Sequence, residues 1–119
     1  MMPKILKVNT KDIDVCGTSL RGYIDVKYST LVSKFGEPHY DGDGYKTDVE
    51  WDIEFEDGTV AVIYNWKDGP NYLGEDGTPV ESIEEWHIGG HDSRVESWIN
   101  DYVHNSWPAF DEIRQTAQR

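Results

Sequence analysis

The feature that most constrains this chain is a run of alternating residues from 48 to 67, with the sequence DVEWDIEFEDGTVAVIYNWK. Apolar side chains fall at every second position on both sides of Asp57-Gly58, which is typical of paired strands with one buried face. Asp-Gly suits a two-residue type I′ turn, because both central positions of that turn need a positive φ. We therefore predict a β-hairpin whose cross-strand pairs form one apolar face: Phe55 with Val60, Ile53 with Val62, Trp51 with Tyr64, and Val49 with Trp66.

The other face of the predicted hairpin is acidic. Its first strand carries a carboxylate at every second position, about 6.8 Å apart at the rise of an extended strand. We call these four residues the acidic row: Glu50, Asp52, Glu54 and Glu56. The predicted register places only Thr59, Ala61, Ile63 and Asn65 opposite them. We therefore expect an exposed row with no cation opposite its middle residues.

The whole chain is strongly acidic. Its 23 acidic and 11 basic side chains give a formal net charge of −12, well beyond the magnitude of about 2 to 8 that keeps a small domain soluble. Such a charge repels nucleic acid and anionic lipid, and it excludes both as direct partners. Two explanations stay open: the acidity only keeps the protein soluble, or it serves binding to a basic partner.

Length and cysteine content indicate the general class of protein. The 119 residues predict a single domain over 1–119, large enough to bury a modest core. Cys16 is the one cysteine, so we expect no internal disulfide and a reducing compartment. The sequence has no apolar run of membrane-spanning length and no signal-peptide pattern. These features predict a cytoplasmic protein with no membrane partner, and they leave the oligomeric state open.

The remaining periodicities predict a helix and further strands. Apolar residues three and four apart predict a helix over about 26–35, ended by Gly36 and Pro38. Short apolar runs predict strands at 4–8, 13–16 and 23–26, and another at 83–88 that ends at Gly89-Gly90. The stretch from 68 to 82 is rich in Gly, Pro, Asn and Asp, which predicts a long loop without regular structure.

The C-terminal part predicts two helices. The first has a Ser93-x-x-Glu96 capping box and then an apolar stripe of Val95, Trp98, Ile99, Tyr102 and Val103. Pro108 ends it and begins a short final helix over about 109–117. The order of elements predicts an α+β fold, with an antiparallel sheet built on the central hairpin and helices covering one face.

No residue pattern indicates catalysis or a metal site. The four histidines, His39, His87, His91 and His104, lack the spacing of zinc ligands. The turn at Asp41 and Asp43 lacks the later residues of a calcium loop. Carboxylates on an exposed strand are solvated, so we do not expect a general acid and base pair. We predict a protein that is not an enzyme, with no cofactor.

The aromatic residues Trp51, Tyr64, Trp66 and Trp86 have two possible roles. They can pack in a core beneath the C-terminal helix, or they can form a wall on which a planar ligand such as a nucleobase stacks. Lys67 and His87 would place a cation and an imidazole beside that wall, with the 68–82 loop as a lid. The alternative ligand site is therefore Trp66, Lys67, Trp86 and His87.

Three segments carry a family resemblance: GTSLRGYIDVKYSTLVSKFGEP, EWDIEFEDGTVAVIYNWK and EEWHIGG. As a set they resemble a group of short hypothetical proteins that is common in bacteriophage genomes and prophages, over about residues 17 to 90. The order of helix, FGEP and hairpin is also similar to small lipoprotein and inhibitor domains that bind proteins through a sheet. The resemblance implies a phage accessory protein. Small acidic proteins of that kind often bind and disable a host factor, such as a CRISPR effector or a restriction enzyme.

Charge and resemblance together give the leading hypothesis, a non-catalytic inhibitor of a host nucleic-acid-handling or defence protein, of the anti-CRISPR or anti-restriction type. Its surface would mimic DNA or RNA, because carboxylates about 6.8 Å apart match every second phosphate of a strand with about 3.4 Å rise. The predicted contact residues are the acidic row and flanking charges at Asp41, Asp43, Asp48, Glu75 and Asp76.

Two alternatives stay open. One is a sponge that sequesters a signalling nucleotide at the alternative ligand site. The other is a structural or regulatory phage protein whose acidity only keeps it soluble.

Overall fold

The computed structural model describes residues 2–40 and 44–105. Within these ranges the strands are β1 (Ile5–Val8), β2 (Ser19–Asp25), β3 (Glu50–Phe55), β4 (Val60–Tyr64) and β5 (Glu85–Gly90). The α-helices are α1 (Tyr28–Phe35), α2 (Pro70–Leu73) and α3 (Arg94–His104). The final helix predicted over 109–117 lies outside the described residues.

The five strands form one antiparallel sheet in the order β1-β3-β4-β5-β2. Helices α1 and α3 pack on one face of this sheet. Phe35 stacks on Tyr102 with ring centroids 5.2 Å apart, and Trp98 meets Phe55 edge-on at 5.2 Å. The predicted α+β architecture, with helices covering one face, is confirmed.

The predicted hairpin forms, but its turn is different. The Gly58 N–H donates to Phe55 O at 2.9 Å, and the Phe55 N–H donates to Thr59 O at 2.8 Å. Gly58 has a φ of 90°. The loop is therefore a type I turn followed by a glycine with positive φ, which makes three loop residues. The prediction of a two-residue type I′ turn is wrong.

This longer turn shifts the strand register by one residue, so that Ile53 pairs with Ala61 and Trp51 with Ile63. A shift of one residue moves every side chain of a strand to the other face of the sheet. Ala61 and Ile63 therefore lie in the core, whereas Val60, Val62 and Tyr64 lie on the same face as the acidic row. The predicted single apolar face is wrong, because β4 is a central strand that is apolar on both sides.

Strand β5 has the predicted faces but extends further. Trp86 lies in the core and His87 on the opposite face, while Gly89 and Gly90 continue the strand beyond its predicted end. A Cβ at Gly89 would lie 2.8 Å from Val62 Cγ2. The glycine pair therefore permits close packing between strands instead of ending β5.

The N-terminal third differs in part from prediction. The runs at 4–8 and 23–26 correspond to β1 and the end of β2, but 13–16 is not a strand. This segment belongs to the connection from β1 to β2, where Ile13 is buried. The apolar residues of this segment lie in a loop that packs on the rest of the protein. Such a loop can show the same alternation of apolar and polar residues as a short strand.

Helix α1 follows its predicted stripe, with Leu31 and Phe35 buried. It ends as predicted at Gly36, which has a φ of 85° and donates its N–H to Val32 O at 2.8 Å. The positive φ favours glycine at this position.

Helix α3 buries the whole predicted stripe. Its capping box does not form, because Ser93 makes no side-chain cap hydrogen bond. The Asp92 carboxylate accepts from the Arg94 N–H at 2.9 Å instead. Glu96 accepts from the Tyr23 N–H of β2 at 3.1 Å, and so joins the helix to the sheet.

The segment from 68 to 82 is not the unstructured loop predicted, since it holds α2 and two 3-10 turns at Gly74–Asp76 and Val80–Ser82. A buried network fixes its beginning. Asn65 Nδ2 donates to Asp48 Oδ2 at 2.7 Å, and the Asn71 N–H donates to Asp48 Oδ1 at 3.0 Å. These bonds hold the segment against the end of the hairpin.

Candidate functional site

The candidate functional site is the face of the sheet opposite α1 and α3, which we call the outer face. The β1–β2 connection borders it, because Val15 and Thr18 line a pocket together with Val62 of β4. Leu20 and Tyr23 of β2 are 45% and 49% exposed. Strand register also places these residues on the outer face: Lys7, Glu50, Asp52, Glu54, Val60, Tyr64, Glu85, His87, Gly89 and Asp25.

The middle of the acidic row is less exposed than predicted. The side chains of Glu50, Asp52 and Glu54 are 18%, 15% and 21% exposed. His39 Nε2 lies 2.9 Å from Asp52 Oδ2 and 3.7 Å from Glu50 Oε2. A chain segment distant in sequence pairs with β3 and places the His39 imidazole next to these two carboxylates. The predicted hairpin did not include this neighbour.

The other end of the acidic row has a lysine neighbour. Lys7 Nζ lies 3.8 Å from Glu54 Oε2 and also donates a hydrogen bond to Asp12 in the β1–β2 connection. That hydrogen bond is the main cause that lowers the pKa of Asp12 to about 2. Glu56 is exposed, and its Oε1 accepts from the Lys4 N–H at 3.3 Å. The positive charge of Lys7 therefore offsets part of the negative charge of Glu54 at this end of the acidic row.

Aromatic rings gather around His87 beside the acidic row. The His87 ring centroid lies 5.0 Å from that of Tyr23 and 5.4 Å from that of Tyr64, and Tyr64 lies 6.1 Å from Trp66. We call Tyr23, Tyr64, Trp66 and His87 the aromatic centre. It gives the middle of the outer face a partly exposed, ring-rich surface.

Burial within the aromatic centre lowers the pKa of His87, although Asp68 and Glu85 act in the opposite direction. A histidine with an ordinary pKa of about 6.5 is already mostly neutral at pH 7, and a lower pKa makes it more so. His87 therefore offers one donor and one acceptor to a ligand, and not a positive charge.

A pocket of about 370 Å³ opens beside the aromatic centre. Val62, Tyr64 and Gly89 contribute to it from the sheet, and Glu50 and Trp66 also line it. Its volume is at the lower end of the range of about 300 to 1,000 Å³ that is typical of small-ligand sites. A side chain of a partner or one small planar group fits this space.

Two lysines lie over the Trp66 ring. Lys46 Nζ is 5.5 Å and Lys67 Nζ is 5.6 Å from the ring centroid, within the distance of about 6 Å at which a cation is attracted to an aromatic face. Trp66 is 38% exposed. This spot is basic and aromatic within an acidic protein, so it favours an anionic or planar group.

The alternative ligand site is divided between the two faces of the sheet. Trp66, Lys67 and His87 come together on the outer face, with Trp66 and His87 centroids 6.4 Å apart. Trp86 is fully buried on the helix side, and its Nε1–H donates to Val26 O at 3.0 Å. Trp86 therefore cannot contact a ligand that stacks on Trp66.

A second group of carboxylates lies at the other side of the aromatic centre. Asp25 and Glu85 are cross-strand partners on the outer face, and both are exposed. With Asp68 and Glu84 they line an open pocket of about 480 Å³. Like charges directly opposite each other repel, so a basic side chain placed between them would be stabilised.

The flanking residues predicted for partner binding have different environments. Asp48 is only 8% exposed, and its carboxylate accepts hydrogen bonds in the buried network. The Asp48 carboxylate is therefore engaged within the fold and is not an exposed flanking charge. Glu75 and Asp76 are exposed in a 3-10 turn. Asp41 and Asp43 lie outside the described residues.

Sequence reasoning missed the meeting of His39 with Glu50 and Asp52. The backbones of His39 and Glu50 exchange two hydrogen bonds of 2.9 Å each, as in an antiparallel strand pair. No periodicity around residue 39 indicates this isolated pairing. The one available signal was chemical, a histidine in a chain that has a row of carboxylates.

A scan against protein-family models found no match to this chain, and a search of curated proteins found no similar sequence. Among the described residues, no helix is both long enough and apolar enough to cross a membrane.

Proposed function

We propose that this protein is a non-catalytic inhibitor that covers a basic surface of a host nucleic-acid-handling or defence protein with its outer face. The observation that carries the proposal is the layout of this face, an aromatic centre with carboxylates on both sides. Glu50, Asp52 and Glu54 lie on one side, and Asp25 and Glu85 on the other. The resemblance to phage proteins is the reason for proposing that the target belongs to a bacterial host and acts in its defence.

This layout suits a protein interface. A few central side chains, often Trp and Tyr, supply most of the binding energy of an interface. Charges at the rim increase the rate of association and select the partner. Tyr23 and Trp66, at 49% and 38% exposure, are available for central contacts. The rim carboxylates and the net charge of −12 favour a partner whose basic surface normally binds DNA or RNA.

The proposal differs from simple phosphate mimicry. Because the His39 imidazole lies against Glu50 and Asp52 and the Lys7 ammonium lies beside Glu54, the acidic row is not a set of fully exposed, unpaired carboxylates at phosphate spacing. The proposed inhibition depends on charge at both sides of the outer face and on aromatic contact between them.

Capture from a lysate of the bacterial host, with elution by rising salt, tests this function. A rim variant, Glu54→Gln with Glu85→Gln, removes one charge on each side of the aromatic centre. We expect its captured nucleic-acid-binding partner to elute at lower salt than from the parent protein, because the two carboxylates contribute long-range attraction that salt screens. A control variant, Glu81→Gln with Asp101→Asn, removes two exposed charges on the helix side and should behave as the parent. Equal elution from all three proteins would contradict the proposal.

A second candidate function, sequestration of a nucleotide, is favoured by the pocket beside Trp66. The ring offers a stacking surface, and Lys46 and Lys67 lie where a phosphate would be stabilised. On this hypothesis, calorimetry against cyclic oligonucleotides and adenine-derived signals should show binding that Trp66→Ala abolishes. Leu73→Ala, an exposed apolar substitution outside the pocket, should leave binding unchanged. Absence of heat, together with no nucleotide released from freshly purified protein on denaturation, would eliminate this candidate.

A further inference from the structure

We propose that His39, Glu50 and Asp52 form a binding site for a divalent transition metal ion of the Zn²⁺ type. The three side chains offer one imidazole nitrogen and two carboxylate oxygens, and these donor atoms all lie within 4.8 Å of one another. The site is independent of the proposed inhibitory function, because it requires no partner protein.

The distances suit a shared ion. Zn²⁺ binds nitrogen and oxygen at about 2.0 to 2.2 Å, which places neighbouring donors roughly 3 to 3.5 Å apart. His39 Nε2 lies 2.9 Å from Asp52 Oδ2 and 3.7 Å from Glu50 Oε2. All three donor atoms lie within 4.8 Å of one another, so an ion placed among them is within reach of each side chain.

The backbone holds these residues in position. His39 and Glu50 exchange both of their backbone hydrogen bonds, at 2.9 Å each. Asp52 lies two residues further along β3, and therefore on the same face. Its N–H donates to Asn9 Oδ1 at 2.7 Å, and its carbonyl accepts from the Asn9 N–H at 2.7 Å. The donors are thus set by strand pairing and not by flexible loops.

Asp52 also has an unsatisfied oxygen. Its Oδ1 is buried and makes no hydrogen bond with any residue in the described parts of the chain. A buried polar atom without a partner is costly, and native proteins contain few of them. An ion bound by both oxygens of Asp52 would satisfy this atom, whereas the His39 contact engages only Oδ2.

The donor set selects the class of metal. Imidazole suits Zn²⁺, Ni²⁺ and similar ions, whereas Mg²⁺ and Ca²⁺ prefer all-oxygen sites. Three protein ligands leave further coordination positions for water or for a group of a ligand. We therefore expect Zn²⁺ or Co²⁺ to bind in preference to Mg²⁺ or Ca²⁺.

Calorimetry on the full chain tests the site, using a Cys16→Ser background because the exposed Cys16 thiol competes for Zn²⁺. Metal-free protein should bind one equivalent of Zn²⁺ at neutral pH. Asp52→Asn and His39→Gln should each weaken binding by at least about 100-fold, since even partners that only orient a metal ligand change affinity by about 10- to 100-fold.

Two substitutions provide matched controls. Glu54→Gln changes the next carboxylate on the same face of β3, and His104→Gln changes an exposed histidine of α3. Both should bind Zn²⁺ like the parent. Zn²⁺ should also raise the melting temperature of the parent and the controls, but not of the two ligand variants, because an ion that binds only the folded state stabilises it.

A further measurement uses the parent protein, without mutation of any metal-ligating residue. Co²⁺ below one equivalent should broaden the NMR signals of the His39 imidazole before those of His104. Equal broadening of all histidines, or equal Zn²⁺ affinity in the parent and Asp52→Asn, would show an ordinary ion pair with adventitious metal contact only.

Discussion

Trp51→Ala is expected to lower the free energy of unfolding by about 3 to 5 kcal/mol. Trp51 is fully buried, its ring lies 5.5 Å from that of Trp86, and its Nε1–H donates to Gly36 O at 2.8 Å. The substitution leaves a cavity between the sheet and α1 and removes the hydrogen-bond donor to Gly36. Urea unfolding followed by circular dichroism measures the loss.

The matched control is Trp66→Ala, which removes the same atoms from a side chain that is 38% exposed. Its expected cost is about 1 kcal/mol or less. Phe55→Leu, a milder change at another fully buried position, should cost about 1 kcal/mol and still allow folding. An equal loss of stability for Trp51→Ala and Trp66→Ala would show that the assigned core is wrong.

Asn65→Ala should be comparably destabilising, at about 3 to 5 kcal/mol. The Asn65 side chain is fully buried, accepts from the N–H groups of Asp48 and Val49, and donates to the Asp48 carboxylate at 2.7 Å. The substitution leaves two buried N–H groups without these bonds and a buried carboxylate without its amide donor. Thermal and urea unfolding measure the effect.

Asn71→Ala is the control for this network. The Asn71 side chain is exposed and donates one hydrogen bond to Thr47 O at 3.0 Å, so its removal should cost about 1 kcal/mol. A loss of stability at Asn65 no larger than at Asn71 would mean that the network does not hold the 68–82 segment.

The elements that sequence predicted best have long, regular apolar patterns. The α3 stripe is buried at every predicted position, and β3 buries Trp51, Ile53 and Phe55 while its acidic residues face the other way. In both elements one face meets the core and the opposite face is mostly polar. The side-chain period therefore identifies the element and its buried face.

The register of β4 could not be predicted in the same way. The run VAVIY is apolar at both alternations, because a central strand is buried on both faces. Asp57-Gly58 is compatible with a two-residue turn and also with the three-residue loop observed. Without a polar residue to mark one face, the turn alone decided which side chains of β4 entered the core.

The candidate site was predicted in part. The carboxylates of β3 were identified from alternation, but their neighbours Lys7 and His39 come from segments distant in sequence. Two members of the aromatic centre, Trp66 and His87, were predicted to lie together, and they meet on the outer face. Trp86 was predicted beside them but lies in the core. Tyr23 joined it only through the pairing of β2 with β5, which no local pattern indicates.

A competition titration tests the proposed use of the outer face most directly. The captured partner is first bound to fluorescently labelled DNA or RNA, and release of the nucleic acid is followed by anisotropy as the protein is added. We predict that the parent and the control variant, Glu81→Gln with Asp101→Asn, release the nucleic acid at the same concentration. The rim variant, Glu54→Gln with Glu85→Gln, and the separate variant Tyr23→Ala should each need at least about tenfold more protein. Release by these variants at the parent's concentration, or no release by the parent, would contradict the account.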